Sequence, residues 1–398
     1  KTNNKDFGNA YMTANNNWQS IHNPITEEIL STGQKLYIDS SDDDVYYNKR
    51  DDLESNTDKM KIFHNTFVKR ILIQSYSNEE KILMDFAVGK AGDFPKWIHS
   101  KLKFVFGVDL SRDNIENKLD GACARYLNYK KRRYKKMPQV MFLQADSSKD
   151  LLQRKAYFDE RSLNIQHAIL GIGSKDKKII GKGVYDLYGI ASNMFDITSI
   201  QFALHYMFRD LNSLHTFMKN VSNFTKVGGH FIGTCFDGKR IFQYLQSVEK
   251  GEPKNIMVGD RKINSIIKFY DQEEFPDNSS CVGYTISVYQ ESINKYINEY
   301  LVNFDYLIQI MESYGFKVAQ NPFTKSKNGI GGFEELFNLL LASKKQNEEY
   351  KEIKNMTEQE KTISFMNNYF IFMKTTEVDV ESVYNMYVNK YTEKQVVE

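Results

Sequence analysis

The chain has 398 residues, of which 41% are hydrophobic and 26% charged, a balance that excludes a collagen-like or broadly disordered protein. A net charge of +2 excludes a strongly basic nucleic-acid-binding protein, so affinity for a nucleic acid must come from local patches. The three cysteines form no CxxC pair, and no apolar run approaches the roughly 18 residues of a membrane span.

The first part of the chain precedes the predicted core. Residues 1–45 carry few apolar residues and end in the acidic run SSDDD, which predicts an N-terminal extension or linker. Over residues 52–73 apolar residues recur at helical spacing, which predicts a helix leading into the first strand. We expect one domain over residues 46–375, with an insertion at residues 150–190, and a C-terminal tail over residues 376–398.

Apolar runs and helical patterns alternate through the middle of the chain. This alternation predicts a parallel, doubly wound α/β sheet. The five strand-like runs are KILMDF (81–86), KFVFGVDL (103–110), QVMFLQ (139–144), SNMFDITSIQF (192–202) and GGHFIGTCF (228–236). Later strand-like runs cover residues 263–270, 284–289 and 369–374, and helical patterns lie near residues 304–314 and 333–343.

The stretch KILMDFAVGKAGDFPKW, residues 81–97, joins a strand to a helix through a small-residue turn, as ligand sites of open α/β sheets do. It matches neither GxGxxG nor GxxxxGK[ST], which disfavours a dinucleotide site and an ATPase loop. Asp85 and Asp93 flank the turn and suit a cationic ligand such as S-adenosylmethionine. At the next two strand ends, Asp109 could bind a ribose and Asp146 an adenine amino group.

Four motifs, in this order along the chain, resemble those of mRNA cap guanine-N7 methyltransferases. They are the entry helix HNTFVKRILI, the glycine motif DFAVGKAGDFPKW, the central signature FDITSIQFALHYMF and the strand GGHFIGTCFDG. The resemblance spans about residues 46–374. It implies a Rossmann-like class I S-adenosylmethionine-dependent methyltransferase, with a mostly parallel seven-stranded sheet and helices on both faces.

The implied activity is transfer of a methyl group from S-adenosylmethionine to N7 of the guanine cap (GpppN) of mRNA, leaving S-adenosylhomocysteine and using no metal. N7 carries a free lone pair and loses no proton, so the reaction requires no general base. Positioning and electrostatics remain as the enzyme's contribution, and held geometry can lower a barrier by about 7–11 kcal/mol.

The resemblance also implies a role for each matching residue. The cofactor-binding residues are Lys69, Asp85, Ala87, Gly89, Asp109, Asp146 and Gln201. The cap-binding residues are Asn65, Lys90, Phe202, His205, Tyr206, Glu299 and Tyr369. Among these, His205, Tyr206 and Glu299 position the base, with Glu299 accepting from N1–H and the N2 amino group and His205 donating to O6. Tyr46 and Tyr47 resemble a segment that closes over the donor.

Two loop positions depart from the family pattern. Ala87 and Ala91 stand where the family has glycine, and the added methyl group is harmful only where φ is positive. This departure leaves open a non-catalytic, methyltransferase-like scaffold of a capping complex. Another RNA or small-molecule S-adenosylmethionine methyltransferase is the second alternative.

The sequence also suggests partners. The tract HNPITEEILSTG (22–33) and the missing initial Met resemble the junction before the methyltransferase domain of multifunctional capping enzymes of large DNA viruses. This resemblance implies upstream triphosphatase and guanylyltransferase domains in the same polypeptide, a stimulatory subunit as a further candidate, and action in the host cytoplasm (viral factory) or the virion. The capped RNA 5′ end is the expected substrate, and KKRRYKK (130–136) is a candidate to track its phosphates.

Overall fold

The computed structural model describes residues 55–131, 136–324, 328–343 and 348–395, and these residues contain two β-sheets. The strands are β1 (Ile82–Asp85), β2 (Phe104–Asp109), β3 (Gln139–Gln144), β4 (Phe195–Gln201), β5 (Thr225–Phe236), β6 (Pro253–Val258), β7 (Arg261–Lys268), β8 (Thr285–Gln290), β9 (Lys295–Tyr300), β10 (Phe316–Val318), β11 (Ile330–Gly332) and β12 (Asn367–Lys374).

Helices connect and cover these strands. They are α1 (Asp58–Ile62), α2 (Lys69–Tyr76), α3 (Phe94–His99), α4 (Arg112–Glu116), α5 (Ala122–Lys131), α6 (Glu160–Ile169), α7 (Lys177–Ile180), α8 (Lys182–Tyr185), α9 (Leu211–Phe224), α10 (Gly238–Tyr244), α11 (Phe304–Ser313), α12 (Phe333–Ala342), α13 (Glu348–Lys354), α14 (Glu358–Phe365) and α15 (Val380–Gln395).

The larger sheet has the strand order β10-β12-β5-β4-β1-β2-β3, and β11 pairs with β12 as an eighth strand. From β5 to β3 all neighbours are parallel, whereas β12 and β10 are antiparallel to theirs. The order 3-2-1-4-5 is that of a doubly wound, Rossmann-like sheet. The predicted fold class, a mostly parallel sheet of Rossmann-like type, is therefore confirmed.

Both faces of this sheet are buried. Along β1 and β2 every residue is buried, as expected of strands between two helical layers. Ile82 and Met84 belong to one apolar cluster and Leu83 to the other, because successive side chains of a strand point to opposite faces. Helices α6, α9 and α11 contribute to the first cluster, and α2, α3, α12 and α14 to the second.

The segment at residues 150–190 differs from the expected insertion. It contains α6, whose first turn is capped by Asp159 accepting from the Ser162 backbone N–H at 2.7 Å. Ala168 and Ile169 of α6 are buried in the core of the sheet. Because two parallel strands need a long crossover connection, β3 and β4 require this segment, which is part of the core rather than a surface addition.

The C-terminal segment likewise differs from a free tail. Residues 380–395 form α15, which packs against α9. The Tyr387 ring stacks on His215 with centroids 4.4 Å apart, and the Tyr387 hydroxyl hydrogen-bonds to Ser313 at 2.8 Å. An aromatic stack and a hydrogen bond therefore fix this helix to the sheet domain.

The smaller sheet is antiparallel, in the order β6-β7-β8-β9. The sequence predicted its two middle strands approximately, but not β6 and β9. Strand β9 carries Glu299, one of the predicted cap-binding residues.

The entry helix is continuous but not uniform. Between α1 and α2, residues Phe63–Val68 form a π-helix. Single π-helical turns inside α-helices are frequent at functional sites. Among the residues that the structure describes, no helix combines the length and apolar character needed to cross a membrane.

Candidate functional site

Four predicted cofactor-binding residues meet at one edge of the larger sheet. Asp85, Asp109 and Gln201 are the last residues of β1, β2 and β4, and Asp146 follows β3 by two residues. Because these strands are parallel and adjacent, their carboxyl ends share one edge, which is where open α/β sheets bind ligands.

Asp109 is held by three donors. Its Oδ2 accepts from the Gly89 backbone N–H at 2.7 Å, and its Oδ1 from Ser111 N–H at 3.0 Å and Asn114 Nδ2 at 2.9 Å. Gly89 has φ +52°, a conformation that glycine adopts without strain. Burial raises the pKa of the Asp109 carboxyl, and the three hydrogen bonds oppose that shift. Since Oδ2 keeps a lone pair, it can accept from a ribose hydroxyl.

Asp85 also fits a methyl donor. Its Oδ1 accepts from the Ala87 backbone N–H at 3.1 Å. Burial first, and then the neighbouring charge of Asp93, raise the pKa of Asp85 to about 7. A cationic group bound beside it would favour its ionised form, so the site is suited to the ammonium or sulfonium of S-adenosylmethionine.

Asp93 lies between two lysines. Its Oδ1 is 2.8 Å from Lys96 Nζ and 3.4 Å from Lys69 Nζ. Burial would raise the pKa of Asp93, but the two ammonium groups hold it at about 2. Lys69 Nζ also lies 5.4 Å from the centroid of the Phe202 ring. Lys69 therefore contacts both Asp93, at the end of the loop that follows β1, and Phe202, which follows β4.

The other two cofactor-site candidates have local partners. Asp146 Oδ1 accepts from the backbone N–H and the hydroxyl of Ser148, at 3.0 and 2.6 Å. Gln201 Oε1 accepts from the Thr234 hydroxyl at 3.1 Å, and its Nε2 donates to the Ser199 hydroxyl at 3.1 Å. These bonds hold both side chains in place at the edge of the sheet.

The two loop alanines behave differently. Ala91 has φ +54°, whereas Ala87 is not among the described residues with positive φ. A left-handed backbone costs a residue other than glycine about 1–2 kcal/mol. The side-chain methyl group therefore causes no backbone strain at Ala87 but does so at Ala91, which is buried within the same loop.

We call the sheet edge at which Asp85, Asp109 and Gln201 lie the donor edge, after the methyl donor expected there. Beside it, a cavity of about 190 Å³ opens between the entry helix, the β8–β9 hairpin and the start of β12. Four of the predicted cap residues, Asn65, Phe202, His205 and Glu299, line it together with Lys69. Its other lining residues are Met60, Lys61, His64, Phe236, Gln290, Ser292, Ile293, Ile363 and Asn367.

Glu299 and His205 form the polar part of this cavity, with Glu299 Oε1 3.8 Å from His205 Nε2. Burial raises the pKa of Glu299 to about 8 and lowers that of His205 to about 3, so both are mainly neutral near pH 7. Within the described part of the chain, neither ring nitrogen of His205 nor Glu299 Oε2 has a hydrogen-bond partner. Since such a buried atom costs about 1–3 kcal/mol, these groups are suited to a polar ligand.

Phe202 is a strained wall of the cavity. Its φ is +56°, an outlier for so bulky a residue. Its backbone N–H donates to the carbonyl and the hydroxyl of Thr234, at 2.8 and 3.2 Å. The ring stacks on His64 with centroids 5.3 Å apart, and His64 Nε2 is 2.8 Å from the Ser364 hydroxyl. Strain maintained in this way is typical of functional sites.

Three predicted cap residues do not line the cavity. Lys90 Nζ is 3.2 Å from Asp113 and 2.9 Å from Asp120, and these carboxylates compensate its burial. Tyr206 packs edge-on to the His205 ring with centroids 4.2 Å apart.

Tyr369 is fully buried in β12. Its hydroxyl accepts from Asn321 Nδ2 at 2.7 Å and donates to Glu335 at 3.0 Å. The structure therefore gives Lys90, Tyr206 and Tyr369 partners within the protein. Tyr206 contacts the cap candidate His205, but none of the three lines the cavity.

Several cavity residues were missed by the sequence interpretation. Lys61, His64, Asn65 and Lys69 share one face of the entry helix, and their spacing of three and four residues could have revealed the first two. Gln290, Ser292 and Ile293 belong to the β8–β9 hairpin, which was not predicted.

Some expectations lie outside the described residues, namely the extension 1–45, Tyr46 and Tyr47, and residues 132–135 of KKRRYKK. Within the described residues, no group of three or more His, Cys, Asp or Glu side chains is arranged to hold a metal ion.

Comparison with known proteins adds a family. The model of the mRNA (guanine-N(7))-methyltransferase domain matches residues 40–375. A probable mRNA-capping enzyme of Acanthamoeba polyphaga mimivirus is 26% identical over 412 residues, covering 94% of this chain and 33% of that protein. The mRNA cap guanine-N(7) methyltransferase of Saccharomyces cerevisiae is 24% identical over 279 residues, covering 67% of this chain and 53% of that protein. The chain thus spans between a third and about half of these relatives.

Solved structures with a similar arrangement include an S-adenosylmethionine-dependent methyltransferase from Clostridium acetobutylicum, with TM-score 0.37, 13% identity and coverage of 82% of this chain and 94% of that one. The CcbJ methyltransferase from Streptomyces caelestis has TM-score 0.45, 10% identity and coverage of 85% and 100%.

Proposed function

Because the chain belongs to the family of mRNA (guanine-N(7))-methyltransferase domains, we propose that it methylates N7 of the guanine cap of mRNA. The observation that carries this proposal is the buried pair of Glu299 and His205 in a cavity beside the donor edge, where Glu299 Oε2 and both ring nitrogens of His205 have no hydrogen-bond partner among the described residues.

Guanine complements this pair. Its N1–H and N2 amino group are adjacent donors that match the ionised form of Glu299, which these two hydrogen bonds would favour, and its O6 is an acceptor that matches an N–H of neutral His205. Adenine offers an unprotonated N1 to Glu299, and its N6 amino group places a donor opposite His205 where guanine has the acceptor O6. It would therefore leave buried groups unpaired, which is how a site of this kind rejects a near analogue.

The donor residues are proposed at the edge of the sheet. Asp109 would hold the ribose, Asp146 the adenine amino group, and Lys69 the carboxylate of the methionine part, while Asp85 would face its cationic groups. Ala87, Gly89 and Gln201 would shape the floor of this site. S-adenosylmethionine supplies, when bound, a methyl group activated by a positively charged sulfur.

The residues of the cavity would act by position and charge. Glu299, His205 and the Phe202–His64 wall would fix the base plane, so that N7 faces the donor edge. Methyl transfer makes the guanine ring cationic, and an ionised Glu299 would stabilise the developing charge. No side chain has to move a proton from N7. Lys61, at the mouth of the cavity, would face the polyphosphate.

The wider context is also a proposal. We expect capped RNA 5′ ends as the substrate and capping domains of a larger polypeptide, with triphosphatase and guanylyltransferase activity, as partners. A stimulatory subunit remains a candidate. Action in the host cytoplasm, within a viral factory, or in the virion would follow from the likeness to a viral capping enzyme.

The direct test is incubation of the protein with S-adenosylmethionine and GpppA, followed by mass spectrometry of the dinucleotide. We expect one added methyl group on the guanine, none on ApppA, and none on GpppA that is already methylated at N7. Methylation of ApppA, or of another small molecule instead of GpppA, would favour the alternative of a different methyltransferase.

A calorimetric titration distinguishes the proposed enzyme from the other alternative, a non-catalytic scaffold. We expect S-adenosylhomocysteine to bind the protein, and Asp109→Ala to abolish this binding. If the unchanged protein binds no S-adenosylhomocysteine at high micromolar concentration, the enzyme interpretation is wrong.

A further inference from the structure

The β8–β9 hairpin has two different faces. Glu299 is exposed by only 4% and lines the cavity. Gln290 of β8 and Ser292 and Ile293 of the connecting turn also line it. Tyr296 is 36% exposed, and its side chain points away from that of Lys295 because successive residues of a strand alternate. One face of the hairpin therefore closes the cavity. The other exposes Tyr296 and Asn298, whereas Ser287 on the same face is buried.

The solvent-facing side carries an aromatic pair. Tyr289 and Tyr296 are direct cross-strand partners, with ring centroids 5.3 Å apart. The Tyr289 hydroxyl donates to Asn294 at 3.1 Å, and the Tyr296 hydroxyl donates to Ser265 at 3.1 Å. Because both hydroxyls are anchored, the two rings form a fixed surface.

Lys262 adds a positive charge to this pair. Its Nζ lies 4.6 Å from the Tyr289 ring centroid and 4.9 Å from that of Tyr296, and 3.0 Å from the Tyr296 hydroxyl. A register shift between Ile256 and Met257 accompanies this placement, and such bulges re-aim side chains.

No acidic side chain shares this face within the described strands β8 and β9. The residues on it are Thr285, Ser287, Tyr289, Tyr296, Asn298 and Tyr300. Aromatic rings next to a lysine, with no carboxylate between them, are the features by which proteins bind single-stranded nucleic acids of any sequence.

We propose that this outer face of the β8–β9 hairpin, built on Tyr289, Tyr296 and Lys262, binds the first unpaired nucleotides of the capped RNA. The proposal rests on the proposed function, which places the cap guanine against the inner face of the same hairpin. Tyr289 directly precedes Gln290, a residue of the cavity wall. The aromatic pair thus lies one residue from the cavity wall but on the opposite face of the hairpin, so the RNA would pass over the edge of the hairpin to reach it.

The test compares two substrates, GpppA and a short capped oligonucleotide of unpaired sequence. GpppA is too short to extend from the cavity over the hairpin. We expect Tyr296→Ala to lower kcat/KM for the capped oligonucleotide about tenfold, mainly through KM, a factor within the range of one base–aromatic stack. Its kcat/KM for GpppA should remain that of the unchanged protein.

Two further variants distinguish binding from folding. Tyr296→Phe keeps the ring and should retain the activity on the oligonucleotide. Val227→Ala changes an exposed side chain on β5 of the other sheet and should affect neither substrate. Lys262→Ala should weaken binding of a fluorescent capped oligonucleotide, measured by anisotropy, and make it less dependent on salt.

The outcomes separate the two proposals. Equal losses of Tyr296→Ala on both substrates would indicate a structural role and overturn the RNA surface. An unchanged kcat/KM on the oligonucleotide would do the same. If the unchanged protein fails to methylate GpppA, the proposed function itself fails.

Discussion

At the residue scale, Glu299 has the most informative environment. A carboxyl group with a pKa raised to about 8 by burial holds its proton at neutral pH, and its Oε2 has no hydrogen-bond partner among the residues that the structure describes. Such a group weakens the folded state, and a ligand that offers two donors binds it with loss of the proton, because only the ionised carboxylate accepts both hydrogen bonds. Site residues of this kind exchange stability for affinity.

The first prediction concerns the variant Glu299→Gln. The folded protein binds the Glu299 proton more tightly than the unfolded chain, so the carboxyl's contribution to the free energy of unfolding falls as pH rises from about 4.5 through about 8. Glutamine cannot ionise. We therefore expect the stability of the variant relative to the unchanged protein to rise between about pH 4.5 and about pH 8, and to level off above, in thermal unfolding experiments.

The same variant should lose methyl transfer to GpppA, because an amide offers one acceptor and an unwanted donor to guanine. Binding of S-adenosylhomocysteine, measured by calorimetry, should stay unchanged and serves as the control. A variant that loses donor binding, or whose relative stability does not depend on pH, would contradict the assignment.

The positions of the donor candidates in the fold followed from the sequence better than those of the cap candidates, for a physical reason. Asp85 and Asp109 end buried strands, and a strand and its end are local properties of the chain. Glu299 was assigned by resemblance alone, and its strand β9 was missed. The positive φ of Ala91 and Phe202 depends on the loops around them, so no residue pattern could reveal it.

At the element scale, the largest differences from the sequence-based expectation are α6 and α15. Charged and polar residues made the apolar periodicity of both helices hard to recognise in the sequence. A connection such as α6 is nevertheless expected from the topology, because two parallel strands need a crossover. Helix α15 is held by partners far along the chain, such as His215 and Ser313, which a local pattern cannot show.

The second prediction tests the attachment of α15. Tyr387→Ala removes the stack on His215 and the hydrogen bond to Ser313, and we expect it to lower the free energy of unfolding in urea by about 1–2 kcal/mol. Met386→Ala changes the preceding, exposed residue of the same helix and should leave stability unchanged. Equal stability of both variants would show that α15 is not attached as described.

At the scale of the whole molecule, the cavity joins segments that are far apart in sequence. The entry helix, the Phe202–His205 segment, the β8–β9 hairpin and Asn367 each supply part of its wall. Periodicity could predict each element separately, but not that these elements meet. The parallel sheet, in contrast, followed from the alternation of strands and helices, which is why the fold was the better predicted feature.

The last prediction concerns the proposed domain boundary. A chain lacking residues 1–45 should keep the unfolding temperature and the methyl transfer to GpppA of the full chain, because that segment carries few apolar residues to bury. A chain lacking residues 1–54 also loses Tyr46 and Tyr47 but keeps Asn56, whose backbone N–H donates to Glu291 at 2.9 Å. We expect this shorter chain to unfold at the same temperature and to bind S-adenosylhomocysteine more weakly in calorimetry. If removal of residues 1–45 alone abolishes transfer or lowers the unfolding temperature, the domain begins earlier than we propose.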